Sequence, residues 1–182
     1  MDFARRYVNN ENIVNTAVRG DLAQLRHLVQ RNVDINVQDG LQETALFAAV
    51  CHQHVDAVEL LLQAGANPNL TCSNSWKALH AVSRSGNEGI ARLLLRHGAN
   101  TEARDSVGWV PLHVASLYGN ENIVAVLLEH HSNPNARAAD QSTPLHIAAD
   151  FGHEAVIRRL VQHGADLGAQ CTVGNTPLHV AA

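Results

Sequence analysis

Histidine is the most reactive residue type that this chain contains in quantity, with twelve copies among 182 residues. An imidazole titrates near neutral pH and binds transition metals, so two chemistries come into question, acid–base catalysis and metal binding. A metal site needs three or four ligands that converge on one point. The histidines instead recur at a fixed interval of 33 residues, as in the series His80, His113, His146 and His179. This recurrence indicates that the histidine has the same structural role in each repeating unit that carries it.

The remaining histidines and the cysteines give no stronger signal for chemistry. Two more series of histidines recur in register with the 33-residue interval. The three histidines outside these series are not spaced as a set of metal ligands; they are His27, His52 and His131. The three cysteines lie far apart, and the glycines recur at 33-residue intervals rather than in a phosphate-binding loop. Adjacency of Cys51 and His52 does not by itself bring thiol and imidazole together. The sequence therefore predicts no catalytic residue, metal site, cofactor or small-molecule substrate.

The elements that carry the histidines form an internal repeat. Residues 143–149 and 176–182 read TPLHIAA and TPLHVAA, and the same register gives VPLHVAS at 110, KALHAVS at 77 and TALFAAV at 44. One further step back reaches Glu11-Asn12-Ile13-Val14, a degenerate copy. Within the copy at Thr143, the threonine is a helix N-cap and Pro144 suits the first helical position. Gly152 ends that helix, and an apolar second helix follows over 155–161 before Gly164.

The period and the Thr-Pro-Leu-His-x-Ala signature resemble the ankyrin repeat. The resemblance implies an all-α solenoid of stacked helix-turn-helix units joined by β-hairpin-like turns, in which the signature imidazole bridges adjacent repeats. The chain then divides into a lead (1–10), a capping repeat (11–43), four full repeats (44–76, 77–109, 110–142 and 143–175) and the start of a truncated further repeat (176–182). Because the last unit stops inside its first helix, we expect the chain to be part of a longer protein.

Four residues depart from the repeat pattern. Lys77 and Val110 occupy the position of the capping threonine. Each substitution loses about 1 kcal/mol of the stabilisation that a threonine N-cap gives to its helix. Gln53 and His131 occupy positions that favour glycine, where a left-handed backbone costs roughly 1 kcal/mol. These departures predict that the repeats at 44–76 and 110–142 are less stable than the repeat that begins at Thr143.

Composition narrows the class of partner and the compartment. The net charge is −4 and no block of lysine and arginine occurs, which argues against nucleic-acid binding. No apolar run approaches membrane-spanning length, so membrane insertion is not expected. An odd number of scattered cysteines suggests free thiols in a reducing compartment, and we expect a cytoplasmic and/or nuclear protein.

The resemblance to ankyrin repeats also implies where a partner would dock. Partners of this family usually bind the concave side, formed by the turn tips and the exposed face of each first helix. Among the positions that match, we expect the partner to contact an aromatic cluster and its neighbours, namely Trp76, Arg84, Val107, Trp109, Leu117, Tyr118, Asp150 and Phe151. Four of the seven aromatic residues fall in this set. Partner binding is the favoured interpretation of the cluster, and packing against a neighbouring repeat is the alternative for each aromatic residue.

Three asparagines share one turn position. Asn36, Asn69 and Asn135 each follow a leucine eight residues earlier, which resembles the sites modified by an iron- and oxoglutarate-dependent asparaginyl hydroxylase in animal ankyrin repeats. Stabilisation of the turn by the asparagine side chain is the alternative.

The sequence as a whole predicts a non-catalytic protein–protein interaction module that binds a protein or peptide on its concave face. The alternative is a substrate-recognition arm of a larger multidomain protein, such as a ubiquitin-ligase receptor, a kinase or a channel, with its effector part beyond residue 182.

Overall fold

The computed structural model describes residues 13–181. The lead at 1–10, Glu11-Asn12 of the first copy and Ala182 lie outside the described residues. Helix α1 spans residues 13–19, and short helices follow in pairs along the chain. They are α2 (Leu22–Gln30), α3 (Ala45–Cys51), α4 (Val55–Gln63), α5 (Ala78–Ser85), α6 (Glu88–Arg96), α7 (Pro111–Leu117), α8 (Glu121–Glu129), α9 (Pro144–Asp150), α10 (Glu154–Gln162) and α11 (Pro177–Val180), with a 3-10 turn at Ser73–Ser75.

The helices stack in two rows. Each odd-numbered helix from α3 to α11 packs against the next odd-numbered helix, and each even-numbered helix from α2 to α10 packs against the next even-numbered one. Within a repeat, the two helices of a pair also pack together, as α3 and α4 do. An antiparallel bridge between Gln38 and Thr44 joins the two sides of one turn, as expected of a hairpin-like connection. This arrangement confirms the predicted all-α solenoid.

Leucines at fixed repeat positions form the core between the rows. Leu61, Leu94, Leu127 and Leu160 of the second helices are fully buried. The signature leucines of the first helices are equally buried up to Leu145, whereas Leu178 of α11 is 78% exposed. Burial of one leucine side chain contributes about 1.5–3 kcal/mol, so each repeat gains most of its stability from its neighbours.

The signature histidines fasten the starts of the first helices. The Nδ1 atom of His113 accepts a hydrogen bond from the backbone N–H of Val110 at 3.2 Å, and its Nε2 lies 3.1 Å from the carbonyl oxygen of Ser142. His80 and His146 make the equivalent pairs of contacts. Each imidazole therefore links its own helix start to the residue before the next signature, which confirms the expected bridging role. Neither Lys77 nor Val110 caps its helix with a side chain, as predicted.

Left-handed backbone occurs at three positions of the repeat, of which the sequence indicated two. At the ends of the first and second helices, Gln53 and His131 have φ angles of 58° and 62° where other full repeats use glycine, as predicted. The third position is the turn tip two residues before the signature, at Gln42, Ser75, Gly108, Gln141 and Gly174. A Cβ atom at Gly108 would lie 3.1 Å from the backbone nitrogen of Ala139, so a larger residue at this tip would be strained and would push the next tip away by a few tenths of an ångström.

Candidate functional site

The turn tips are tied together by side chains that bond to backbone carbonyls. Arg104 donates from Nη1 to the carbonyl oxygen of Gly108 at 2.8 Å and to that of Arg137 in the next repeat at 2.7 Å. Gln38 and Arg137 occupy the same repeat position and make the same pair of bonds. The tips therefore form a continuous edge along the solenoid, bordering the row of odd-numbered helices. We call the surface made by this edge and the odd-numbered helices the inner face.

Lys77 replaces the missing turn-tip bonds of the preceding repeat (44–76), whose residue at this position has too short a side chain to form them. Thr71 stands at the position of Arg104 and Arg137. The Nζ atom of Lys77 donates to the carbonyl oxygens of Ser75 and Arg104, at 3.3 and 3.4 Å. These two carbonyls are the counterparts, one repeat earlier, of the carbonyls of Gly108 and Arg137 that Arg104 reaches. A residue that looks like a defective helix cap in the sequence thus holds two turn tips together.

The three asparagines proposed for hydroxylation bond to the next repeat. The Oδ1 atom of Asn69 accepts the backbone N–H of Asn100 at 2.8 Å, and its Nδ2 donates to the carbonyl of Gly98 at 2.9 Å. Asn135 makes the equivalent two bonds, and Asn36 accepts the backbone N–H of Asn67 at 2.8 Å. Their side chains therefore stabilise the turns between repeats, and hydroxylation remains a prediction.

The two tryptophans on the inner face cover the signature histidines. The ring of Trp76 stacks on His80 and that of Trp109 on His113, each with a centroid distance of 6.0 Å. Both tryptophans are half-buried, and both histidines are buried. Desolvation lowers the pKa of His80, and it lowers the pKa of His113 to about 4. The tryptophans thus pack against the signature histidines, which agrees with the packing alternative of the sequence analysis. Only part of their surface is open to a partner.

Tyr118 and Phe151, at one position of successive repeats, are the exposed aromatic residues on the inner face. Tyr118 is 47% exposed and Phe151 is 54% exposed. The guanidinium carbon of Arg84 lies 5.9 Å from the centroid of the Tyr118 ring, which is within the range of a cation–π contact. Phe151 stacks on His153 with a centroid distance of 6.3 Å.

A hollow of about 320 Å³ brings part of the predicted set together. Its lining consists of Cys51, Trp76, Ala81, Arg84, Ser85 and Tyr118. The other predicted residues lie outside this lining: Val107 and Asp150 are exposed, Trp109 and Leu117 are half-buried, and Phe151 stands one repeat further along. The structure therefore groups Trp76, Arg84 and Tyr118 and leaves the other five as separate positions.

Asn120, which sequence reasoning did not single out, fixes the backbone that carries Arg84. Its Nδ2 donates to the carbonyl oxygens of Ser83 and Arg84, at 2.8 and 3.0 Å, near the end of α5. A Cβ atom on Gly86 would lie 2.8 Å from the Oδ1 of Asn120, so the approach also depends on that glycine. His54 and His153 make the equivalent contact in other repeats, and a polar residue that recurs just before each second helix is the signal that could have identified all three.

Reactive groups near the hollow are held in unreactive forms. Burial raises the pKa of the Cys51 thiol to about 11, with further increases from Glu43 and Cys72. A thiol with such a pKa is protonated at neutral pH and is a poor nucleophile. Within residues 13–181, no three His, Cys, Asp or Glu side chains are placed to hold a metal ion. Over the same residues, no helix has the length and apolar character needed to cross a bilayer.

Stacked helix pairs with an exposed inner face define a repeat solenoid, a class whose extended surfaces bind other macromolecules. A family model described as "Ankyrin repeats (3 copies)" matches residues 13–105, 64–138 and 112–182, and the chain belongs to the ankyrin-repeat family. Repeats of this family generally mediate protein–protein interaction and are typically non-catalytic.

Each of three curated relatives matches about two fifths of this chain. The ankyrin repeat protein FPV222 of fowlpox virus (strain NVSL) is 31% identical over 39% of this chain and 10% of its own length. The inactive serine/threonine-protein kinase TEX14 of Mus musculus is 34% identical over 41% of this chain and 5% of its own length. The palmitoyltransferase AKR1 of Lachancea kluyveri is 33% identical over 39% of this chain and 10% of its own length. The match thus spans no more than a tenth of each of these relatives.

Proposed function

We propose that this chain is a non-catalytic module that binds a protein or peptide partner on its inner face. The observation that carries the proposal is the exposure of Tyr118 and Phe151, two large aromatic side chains at the same position of successive repeats. Aromatic residues that a partner buries are typical interface hot spots, and their truncation costs about 2 kcal/mol or more. Arg84 and Asp150 add charge beside them, and Val107 adds exposed apolar surface on a neighbouring turn tip.

A comparison of two double variants tests this proposal. Tyr118→Ala with Phe151→Ala removes the exposed aromatic rings and leaves the half-buried tryptophans intact. Val55→Ala with Val161→Ala is the matched control, because both valines are exposed apolar residues on the even-numbered helices. Proteins captured from cell extract by residues 1–182 are compared between the variants by quantitative mass spectrometry, with circular dichroism as the check on folding.

We expect the first variant to lose a partner that the control retains, while both variants keep the helical spectrum of the unmodified chain. Equal capture by both variants would remove the inner face from consideration as the binding surface.

The alternative function is a recognition arm of a larger protein, such as a ubiquitin-ligase receptor, a kinase or a channel. The observation in its favour is that the matching segment forms 10% or less of relatives that are named as an inactive kinase and a palmitoyltransferase. The test is to isolate the endogenous protein with an antibody to the repeats and to identify its peptides. Peptides from an adjoining catalytic or membrane domain would support this alternative, and an intact mass equal to that of the 182 residues would contradict it.

We also propose that the protein resides in the cytoplasm and/or the nucleus. The support is that Cys51, Cys72 and Cys171 are all free thiols, as is usual in a reducing compartment. Immunofluorescence that placed the protein in the secretory pathway would overturn this assignment.

A further inference from the structure

The hollow beside Tyr118 has one charged group in its lining, and that group lacks a partner in the protein. The side chain of Arg84 makes no ion pair and no hydrogen bond with any residue from 13 to 181; its contact is the stacking on Tyr118. The ion-paired arginines of the described chain, Arg92, Arg158 and Arg159, all lie on even-numbered helices. The N–H donors of Arg84 are therefore available to a bound molecule.

One contact orients this guanidinium, and a separate bond fixes the backbone from which its side chain extends. The ring of Tyr118 lies under it at 5.9 Å, and Asn120 bonds to the carbonyl oxygen of Arg84 itself at 3.0 Å. A side chain that is already oriented loses less conformational entropy when it binds a ligand. Arg84 is thus better prepared to bind than an arginine that extends freely into water.

The walls of the hollow strengthen any ion pair formed within it. Trp76, Ala81 and Tyr118 supply apolar surface, and the volume of about 320 Å³ equals the liquid volume of roughly ten water molecules. Cys51 adds no negative charge, because its thiol is protonated at neutral pH. Glu43 acts electrostatically on that thiol but forms no ion pair with Arg84. An opposite charge that displaced water from this hollow would meet partly apolar walls, and hence surroundings less polar than bulk water, together with an unpaired guanidinium.

Building on the proposed function, we propose that the hollow binds the side-chain carboxylate of an aspartate or glutamate in an extended partner peptide, next to an apolar residue that packs on Trp76 and Tyr118. A guanidinium matches a carboxylate with two parallel hydrogen bonds. An entirely apolar occupant would bury Arg84 without a hydrogen-bond partner, which is costly, and a cationic one would be repelled. The lining therefore selects for an acidic segment even though the protein as a whole carries a net charge of −4.

The test is selection followed by charge reversal. A phage-displayed library of random dodecapeptides is selected on residues 1–182, and the enriched peptides are synthesised with a fluorescent label. Their affinities are measured by fluorescence anisotropy against the unmodified chain, Arg84→Glu, Tyr118→Ala and the matched control Arg96→Glu, which makes the same charge change on α6. Each peptide is also made with its acidic residue replaced by lysine and by phosphoserine.

We expect enriched peptides to share an acidic residue beside an apolar one. Arg84→Glu should weaken their binding by about tenfold or more, Arg96→Glu should leave it within about twofold, and the lysine peptides should bind Arg84→Glu better than the unmodified chain. Peptides that depend on Tyr118 but not on Arg84, or that bind tighter with phosphoserine, would overturn the carboxylate assignment and leave the inner face as the binding surface. Failure to enrich any peptide, or binding that neither Tyr118→Ala nor Arg84→Glu alters, would overturn the inner-face proposal as well.

Discussion

His80 and His113 hold helix starts together only while their imidazoles are neutral. The Nδ1 of His113 accepts a backbone hydrogen bond, which a protonated imidazole cannot do, and no part of the residue reaches solvent. Protonation would therefore break the contact with the backbone N–H of Lys77 at His80 and with that of Val110 at His113. The repeat at 44–76 has Phe47 at this position and escapes the effect.

This neutrality predicts a loss of stability in mild acid. The pKa of His113 is about 4 in the folded chain against 6.5 for a free side chain, so the unfolded state binds more protons between these values. The contribution is complete above about pH 6.5, falls as the pH drops, and for His113 alone amounts to about 2 kcal/mol lost by pH 5. Urea unfolding at pH 7.5 and pH 5 measures the change. His113→Gln, which does not titrate, should show a smaller difference between the two pH values, and an identical difference would contradict the assignment.

Lys77 and Val110 allow a second prediction at the scale of single residues. Val110→Thr restores a helix cap and should raise the free energy of unfolding by about 0.5–1 kcal/mol. Lys77→Thr restores the same cap but removes the bonds from Nζ to the carbonyls of Ser75 and Arg104, so we expect no net gain. Denaturant unfolding of the two variants provides the comparison. Equal stabilisation by both would mean that the lysine bonds contribute nothing.

At the scale of the helix pair, the non-glycine residues in left-handed backbone are sites of strain. Gln53 and His131 are both exposed and end the first helix and the second helix of their repeats, respectively. Gln53→Gly and His131→Gly should each stabilise the chain by up to about 1 kcal/mol.

Hydrogen exchange resolves this effect repeat by repeat. In the unmodified chain we expect faster exchange in the repeats at 44–76 and 110–142 than in the repeat that begins at Thr143, and slower exchange in the first two after the substitutions. Uniform protection across the repeats of the unmodified chain would contradict the prediction.

The helix pairs were predictable from the sequence because their signals are local. A cap position, a proline at the first helical position and a left-handed stop act within a few residues, so helices begin at Ala78, Pro111 and Pro144 as the pattern requires. The left-handed turn tips were missed because Gln42, Ser75 and Gln141 do not have the side chain that usually indicates such a backbone.

The contacts of the candidate site were not predictable, because they depend on how closely repeats stack. Lys77 reaches a carbonyl 27 residues away, and Asn120 reaches one 36 residues away. The resemblance to ankyrin repeats implied that Trp76, Arg84 and Tyr118 lie on the same face. The repeat register does not determine the directions of side chains. These directions bring the three residues into one hollow and leave Trp109 and Leu117 outside its lining.

At the scale of the whole molecule, equivalent residues differ in importance according to their neighbours. Leu145 and Leu178 occupy the same signature position, yet Leu145 is 1% exposed and Leu178 is 78% exposed. Leu145→Ala should therefore cost about 2–5 kcal/mol, whereas Leu178→Ala should change the stability by less than about 0.5 kcal/mol. Thermal or denaturant unfolding of residues 1–182 gives both values. A similar cost for the two substitutions would contradict the nearest-neighbour description of the solenoid.

The side chains that tie one repeat to the next also determine how the molecule would respond to tension. Load applied to the two ends of a stack passes through every junction in series, so the junction with the fewest ties yields first. Thr71 and Asn87 flank the junction between the repeats at 44–76 and 77–109, at positions where other repeats carry a residue that bonds to the neighbouring repeat. The hydrogen bonds that cross this junction in the described chain include those of Asn69 and Lys77. We therefore expect this junction, which lies about two fifths of the way along the chain and beside the hollow that Arg84 lines, to open first when the two ends are pulled apart.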